Sequence, residues 1–165
     1  QKLQNSKKQI QDLEQSILLV NTGITRFSSS LENEKIKNLN KNKIFFSELY
    51  NLCKEAKQKI NFSKNLKETL SLYINESWVI KKKLAKGVSN NYLNDLYDFG
   101  LKHGALGGKI LGSGSGGFML FIARSKKHKI NLKKKLKKNI CVDVKFDHQG
   151  SRIISNLHDP YKENL

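Results

Sequence analysis

The residues best suited to chemistry lie in one glycine- and serine-rich segment, which reads LGGKILGSGSGG between positions 106 and 117. Glycines let backbone N–H groups approach an anion closely, and successive N–H groups can form a concave nest for it. Serine hydroxyls add hydrogen-bond donors, and a lysine adds a positive charge. The candidate phosphate- or substrate-contacting residues are Gly108, Lys109, Gly112, Ser113, Gly114, Ser115, Gly116 and Gly117.

The spacing of these residues differs from that of the common nucleotide-binding loops. No GKS or GKT follows at the spacing of a Walker A loop. A strand–GxGxxG–helix order is also missing, because an apolar strand is predicted directly after Gly117. A tight helix-to-strand connection, in which small residues permit close packing, accounts for the same pattern. The residues alone therefore leave an anion-contacting loop and a packing turn both open.

Predicted strands occur on both sides of the middle of the chain. The apolar run at residues 16–21 ends in a Thr-Gly turn, and a second apolar run covers residues 118–124. Period-two alternation over residues 140–147 is the clearest strand pattern. A turn at residues 148–150 leads into a predicted partner strand at residues 151–155. These strands, combined with the helices between them, indicate an α+β domain.

Predicted helices occupy the middle of the chain, because apolar residues recur there at three- and four-residue steps. They cover residues 45–60, 62–84 and 93–101. Asn90 or Asn91 can cap the third helix, and Gly104 can end it in a left-handed conformation. Residues 28–43, in contrast, are polar and low in complexity, which predicts an exposed connector.

The composition disfavours several classes of function. The 165-residue chain has a net charge of +17, and three arginines among its 31 basic residues leave 28 lysines. Proteins that read DNA bases favour arginine, so nucleic-acid binding is disfavoured as the main function, while phosphorylated small molecules fit the charge. No apolar run reaches the roughly 20 residues that span a membrane. The scattered cysteines and histidines lack metal-ligand spacing, so no metal site is expected.

One segment keeps a different function open. Residues 126–138 contain eight lysines and no acid, which predicts a basic amphipathic helix. Such a helix is either a solvated surface or the binding face of a non-catalytic α+β module that binds polyanions or a partner protein.

Four ordered segments resemble one known family. The sequence HGALGGKILGSGSGGFMLF, at residues 103–121, resembles the third conserved motif of the GHMP kinases, in which a helix ends at GA.GGK..GAGGGG and a strand follows. LLVNTGITR at residues 18–26 is similar to the LL.YTG.TR segment of the sugar-phosphate branch, and ESWVIKKKLAKGVSN at residues 76–90 to its W..K..L...ISN helix. VKFDHQGSRII at residues 144–154 is similar to its F.F...GSR.I hairpin. Together they resemble the branch that acts on D-glycero-D-manno-heptose 7-phosphate.

The resemblance implies a fold and an activity. The expected fold is ferredoxin-like, with helices packed on one face of a small antiparallel sheet. The expected activity is ATP-dependent phosphoryl transfer to the anomeric hydroxyl of a heptose 7-phosphate, in the cytoplasm, for the synthesis of surface-glycan precursors. Its substrates would be the sugar phosphate and ATP.

The resemblance also implies a division of the chain. Residues 1–27 would end the N-terminal kinase domain with its final strand, residues 28–43 would form the exposed connector, and residues 44–165 would form the C-terminal domain. ATP and Mg²⁺ would be bound mainly by the N-terminal domain, whose PxxxGLGSS loop and catalytic residues have no counterpart in this sequence. We therefore expect no catalytic residue in this chain, and no ATP turnover by the chain alone.

The resemblance finally suggests a second set of site residues, Thr22, Gly23 and Arg26, as contacts to the sugar phosphate. Arginine suits bidentate phosphate recognition, although a structural ion pair would also explain Arg26. Lys109 could face the same negative charge or be a solvated lysine. The sequence departs from the GAGGGG pattern by having serine at positions 113 and 115, and serine is small enough to keep the turn.

Overall fold

A four-stranded antiparallel sheet organises the part of the chain that the computed structural model describes, residues 5–25 and 28–150. Its strands are β1 (Ile17–Asn21), β2 (Ala105–Ile110), β3 (Phe118–Ala123) and β4 (Cys141–Asp143). The helices are α1 (Lys7–Ser16), α2 (Ser28–Lys37), α3 (Leu39–Asn61), α4 (Leu66–Lys83), α5 (Asn91–Lys102) and α6 (Lys126–Lys135), with a 3₁₀ turn at Lys86–Val88. The predicted α+β class with a small antiparallel sheet is confirmed.

The strand order is β2-β3-β1-β4, which places β1 inside the sheet. Its register against β3 runs from Ile17 opposite Ile122 to Asn21 opposite Phe118, and it also pairs with β4. β1 therefore shares one sheet with the strands of the second half of the chain, and the division of the chain at residue 27 stays a prediction. An apolar strand buries its side chains and satisfies its backbone best when it has a neighbour on each edge.

Apolar side chains from the strands contribute to two clusters. Leu18 and Phe121 belong to the larger one, together with Trp78 of α4 and residues of α5 and α6. Ile17 and Ile122 belong to the smaller one, with Leu13 of α1 and the start of α4. Because neighbouring residues of a strand point to opposite faces, apolar side chains are buried on both faces of the sheet.

Residues 28–43, predicted to form an exposed connector, are helical. The structure forms α2 and the start of α3 there. Lys35 is only 7% exposed, and the buried Asn42 donates from Nδ2 to the carbonyl oxygen of Leu84 at 2.7 Å. The segment contains no glycine or proline, and its lysines and glutamates are good helix formers, so a polar composition did not exclude a helix.

Other elements differ from the sequence-based expectation in extent. α1 was not predicted, and a capping box between Ser6 and Gln9 begins it. The first half of the glycine-rich segment forms the strand β2, which the sequence did not predict. β4 pairs with β1 over only three residues, shorter than the predicted 140–147. The N-cap of α5 is Asn90, as predicted, and residues 151–155 lie outside the described residues.

Candidate functional site

The second half of the glycine-rich segment, residues 111–117, connects β2 to β3 and is called here the glycine loop. The N–H of Leu111 donates to the carbonyl oxygen of Phe118 at 2.9 Å and closes it. The backbone φ is positive at Gly112 (67°), Gly114 (112°), Ser115 (68°) and Gly117 (79°). A Cβ at Gly114 would lie 2.9 Å from the carbonyl oxygen of Val88, so both its conformation and its surroundings require glycine.

Ser115 anchors the loop to the turn between α4 and α5. Its N–H donates to the carbonyl oxygen of Val88 at 2.9 Å, and its hydroxyl donates to that of Gly87 at 2.5 Å. The residue is 1% exposed. These two hydrogen bonds help to keep Ser115 at a positive φ, a conformation that costs a residue with a Cβ about 1–2 kcal/mol.

The other end of the loop is anchored to the Thr-Gly turn that follows β1. The carbonyl oxygen of Gly117 accepts from the N–H and the hydroxyl of Thr22, each at 2.9 Å. The N–H of Gly117 donates to the carbonyl oxygen of Ile24 at 3.0 Å. A Cβ at Gly116 would lie 2.5 Å from that same oxygen. The two predicted site segments are therefore in direct contact.

We expect Thr22→Val to lower the free energy of unfolding by about 1–2 kcal/mol, because the Thr22 hydroxyl donates to the carbonyl oxygen of Gly117 at 2.9 Å and accepts from the N–H of Ile24 at 3.3 Å. Valine has nearly the same shape, and Thr22 is 4% exposed, so the loss should come from the hydroxyl alone. Urea unfolding would measure it. Thr25→Val, at an exposed position of the same turn, is the control and should leave the stability within about 0.5 kcal/mol of that of the native chain.

Four backbone N–H groups of the glycine loop have no acceptor among the described residues. They belong to Gly112, Ser113, Gly114 and Gly116, and the hydrogen bonds of the neighbouring N–H groups are those given above. Backbone N–H groups that have no protein acceptor and lie close together near positive charge can form an anion-binding nest.

Positive charge comes from three lysines. The Nζ of Lys81 donates to the carbonyl oxygens of Gly112 and, at 3.3 Å, of Ile110. The Nζ of Lys35 donates to the carbonyl oxygen of Ser113 at 2.8 Å and pairs with Glu32 at 2.8 Å. Lys109 donates to the hydroxyl of Ser77 at 3.1 Å.

Two of these three lysines have a lowered pKa. Burial, followed by the positive charges of Lys109 and Lys35, lowers the pKa of Lys81 to about 8, against the smaller opposing effect of Glu32. Burial also lowers the pKa of Lys109. An anion bound near these lysines would stabilise their charged forms.

The structure separates the predicted site residues into two groups. The predicted residues 112–117 all lie in the glycine loop, and Thr22 is hydrogen-bonded to it. Gly108 and Lys109 lie in β2 instead. A Cβ at Gly108 would lie 2.6 Å from the carbonyl oxygen of Leu120 and 2.7 Å from the ring of Phe121, so this glycine permits packing within the sheet.

The remaining predicted contacts have different positions. Gly23 is exposed, with a φ of 71°, and its N–H donates to Oδ1 of Asn21 at 2.7 Å. Arg26 lies outside the described residues. Beside this turn is an open depression of about 470 Å³. Its lining residues are Asn21, Thr22, Gly23, Thr25, Tyr92, Lys138, Asn139 and Ile140.

Sequence reasoning missed the roles of Lys35 and Lys81. Lys81 is the lysine of the WVIK segment, so the resemblance placed it in a motif without assigning it a contact. Lys35 lies within the polar stretch taken as a connector, where nothing distinguished it from its neighbours. The sequence of a polar helix does not show which of its lysines is buried, so Lys35, which is only 7% exposed, could not be recognised as a site residue.

The basic segment forms the helix α6, as predicted, over Lys126–Lys135. Lys129 and Lys133 both pair with Asp143 of β4, each at 2.9 Å. Their hydrogen bonds lower the pKa of Asp143. Part of the charge of α6 thus holds β4 beside the helix.

Metal-binding clusters and membrane-spanning helices are both absent from residues 5–25 and 28–150, the part of the chain that the structure describes. No group of three or more His, Cys, Asp and Glu side chains in that part of the chain is arranged to hold a metal ion. None of the helices described there has both the length and the apolar character needed to cross a membrane.

Comparison with known proteins gives a consistent result. Residues 60–140 match the family model described as GHMP kinases C terminal. Over 146 residues the chain is 34% identical to the D-glycero-alpha-D-manno-heptose 7-phosphate kinase of Campylobacter jejuni, a match that covers 84% of this chain and 41% of that protein.

Solved structures share the fold. The mevalonate kinase of Methanococcus jannaschii has a TM-score of 0.64 at 25% identity, covering 84% of this chain and 42% of its own. L. major mevalonate kinase in complex with R-mevalonate has a TM-score of 0.63 at 23% identity, covering 74% of this chain and 37% of its own. The chain spans less than half the length of each of these relatives.

The sheet, the glycine loop and these matches define a GHMP kinase C-terminal domain. The chain belongs to the GHMP kinase family, and its predicted resemblance to the heptose 7-phosphate kinase branch is confirmed.

Proposed function

We propose that this chain is the C-terminal part of an ATP-dependent sugar kinase that phosphorylates the anomeric hydroxyl of a heptose 7-phosphate. The product would serve the synthesis of surface-glycan precursors in the cytoplasm. The observation that carries the phosphate-binding part of this proposal is the row of four N–H groups without acceptors in the glycine loop. The 34% sequence identity with the heptose 7-phosphate kinase of Campylobacter jejuni supports the proposed substrate.

The glycine loop fits a phosphate group chemically. Phosphoryl transfer depends on positioning and on neutralising the charge of the phosphoryl oxygens more than on covalent catalysis. Fixed backbone N–H groups do this without reorganising during the reaction. In the proposed site the N–H groups of residues 112, 113, 114 and 116 donate to phosphate oxygens, while Lys81 and Lys109 add positive charge nearby.

The intact enzyme would require ATP as the phosphoryl donor and Mg²⁺ to offset the charge of its phosphates. The glycine loop fits the phosphate part of such a donor, because it offers N–H donors. We assign the main ATP and Mg²⁺ contacts to an N-terminal kinase domain, which is also the proposed partner of this chain.

The sugar phosphate is proposed to contact the turn formed by Thr22 and Gly23, together with Arg26. Thr22 has a double role in this arrangement, because it binds the glycine loop and lines the depression beside the turn. Lys138, which also lines the depression, carries a charge suited to a phosphate. The depression would therefore hold the substrate next to the loop that contacts the transferred phosphate.

The test uses the longer protein encoded by the gene, with any preceding sequence included. We expect it to phosphorylate D-glycero-D-manno-heptose 7-phosphate in a coupled ADP-release assay, and to prefer it to sugar phosphates of other chain length. Gly114→Asp should lower kcat/KM at least about 100-fold, since the carboxylate adds a negative charge and a Cβ to the loop. The 165-residue chain alone should show no turnover.

Each outcome of this test has a clear meaning. Turnover of another small molecule in preference to the heptose phosphate contradicts the proposed substrate. Equal activity of the Gly114→Asp variant contradicts the role of the glycine loop. Turnover by the purified 165-residue chain that disappears in Gly114→Asp contradicts the requirement for an N-terminal domain.

A further inference from the structure

Two lysines bind consecutive peptide groups of the glycine loop. Lys81 of α4 donates to the carbonyl oxygen of Gly112, and Lys35 of α2 donates to that of Ser113 at 2.8 Å. The peptide group is planar, and in its trans form the C=O and the following N–H point in opposite directions. The N–H of Ser113 therefore points away from Lys81, and the N–H of Gly114 points away from Lys35.

These N–H groups are two of the four that have no acceptor among the described residues. Their direction is not fixed by the chain itself, because Gly112 and Gly114 flank Ser113 and glycine permits rotation of the adjoining peptide groups. Neither peptide group is part of a β ladder. The lysine contacts are thus what fixes each carbonyl on one side of the loop.

The two ammonium groups are held in place. The side chain of Lys35 is nine-tenths buried and pairs with Glu32 at 2.8 Å. Lys81 is bound to two carbonyl oxygens, those of Ile110 and Gly112. A cation at a carbonyl oxygen polarises the peptide group and strengthens its N–H as a donor, so each contact affects both the direction and the strength of the neighbouring N–H.

From this geometry we propose that Lys35 and Lys81 are positioning residues for phosphate recognition, holding the carbonyl groups of Ser113 and Gly112 so that the N–H groups of Gly114 and Ser113 face a bound phosphate oxygen. The proposal rests on the proposed function, because it assumes that the glycine loop binds phosphate. It adds two side chains, from two helices, that do not themselves touch the ligand.

The experiment follows the backbone N–H signals of the 165-residue chain by NMR during titration with inorganic sulfate, a phosphate analogue that stays a dianion between pH 6 and 10. In the native chain we expect the signals of Ser113 and Gly114 to shift. Lys81→Met should reduce the shift of Ser113 most, and Lys35→Met that of Gly114. Each should weaken sulfate binding about tenfold, the effect of losing one charge-assisted contact.

Lys86→Met is the matched control. It removes the same charge from an exposed position two residues before Val88, which binds the loop. We expect this variant to bind sulfate within about twofold of the native chain, since an exposed charge contributes little. Thermal unfolding of every variant checks that the comparison is made on folded protein, and the Lys35→Met and Lys81→Met variants test the proposal independently of each other.

A pH profile separates positioning from mere structural support. Burial and the charges of Lys109 of β2 and Lys35 of α2 lower the pKa of Lys81 to about 8, while Glu32 of α2 opposes this shift. The native chain should therefore lose sulfate affinity as the pH rises through 8. In Lys81→Met the part of this loss that is centred near pH 8 should be absent.

The outcomes distinguish the two proposals. If sulfate shifts neither Ser113 nor Gly114 in the native chain, the phosphate-binding role of the loop fails. If the native chain binds sulfate there, and both methionine variants bind it equally well with an unchanged pH profile, the positioning role of the lysines is overturned while the proposed function stands.

Discussion

The Gly116→Ala variant is expected to lose about 3 kcal/mol in free energy of unfolding and to lose sulfate binding at the glycine loop. The added Cβ would lie 2.5 Å from the carbonyl oxygen of Ile24, a backbone atom that cannot rotate away. The turn would have to move, breaking the hydrogen bonds that join Gly117 to Thr22 and Ile24. Overpacking costs about 1–3 kcal/mol and each lost hydrogen bond about 1 kcal/mol.

Gly112→Ala is the matched control in the same loop. Its φ of 67° makes alanine unfavourable by about 1 kcal/mol, but a Cβ there would meet nothing within 4 Å. We expect a loss of about 1 kcal/mol and retained sulfate binding. Urea unfolding and the NMR titration measure both variants. A Gly116→Ala variant as stable as Gly112→Ala would show that the turn and the loop are not packed as the structure has them.

The ends and apolar faces of the helices could be predicted because their signals are local. Asn90 caps α5 through its own side chain, and the apolar stripe of α4 brings Trp78 into the core. Such features depend on residues within one or two turns of each other. The resemblance to a known family located the glycine loop in the same way, from contiguous sequence.

The missed features depend on residues far apart in the chain. β2 contains two glycines, which disfavour a strand, yet these glycines admit neighbouring side chains: a Cβ at Gly107 would collide with Asn75, and one at Gly108 with Phe121. Lys35 and the carbonyl group of Ser113 that it binds are separated by 78 residues. No periodic pattern in the sequence indicates such a long-range contact. Lys35 and Lys81 could therefore not be distinguished from the other lysines of the chain.

The glycines of the family motif thus have two different physical roles. In the glycine loop, Gly112, Gly114 and Gly117 adopt positive φ values, and Gly116 permits close packing against Ile24. Gly108 lets a ring pack against the sheet, together with Gly100 of α5, because Cβ atoms at these positions would lie 2.7 and 2.2 Å from ring atoms of Phe121. Close packing, one of the two interpretations left open by the sequence, therefore accounts for Gly108, while the anion-contacting loop stays the proposal for residues 112–117.

The packing role gives the second large expected effect, at Gly100. Helix propensity alone would make Gly100→Ala more stable by about 1 kcal/mol. The structure predicts the opposite sign, a loss of about 3 kcal/mol, because the methyl group would overlap the fully buried ring of Phe121. The ring cannot move without disturbing the sheet, since β3 pairs with β1 and β2 on both sides.

A double-mutant cycle checks that the ring is the cause. Phe121→Leu alone should cost about 2 kcal/mol by removing buried volume. Combined with Gly100→Ala it should cost at least about 1 kcal/mol less than the sum of the single effects, because the smaller side chain leaves room for the methyl group. Urea unfolding of the four proteins gives this coupling energy. Additive losses, or an increase in stability of Gly100→Ala itself, would contradict the close contact between α5 and the sheet that supports the glycine loop.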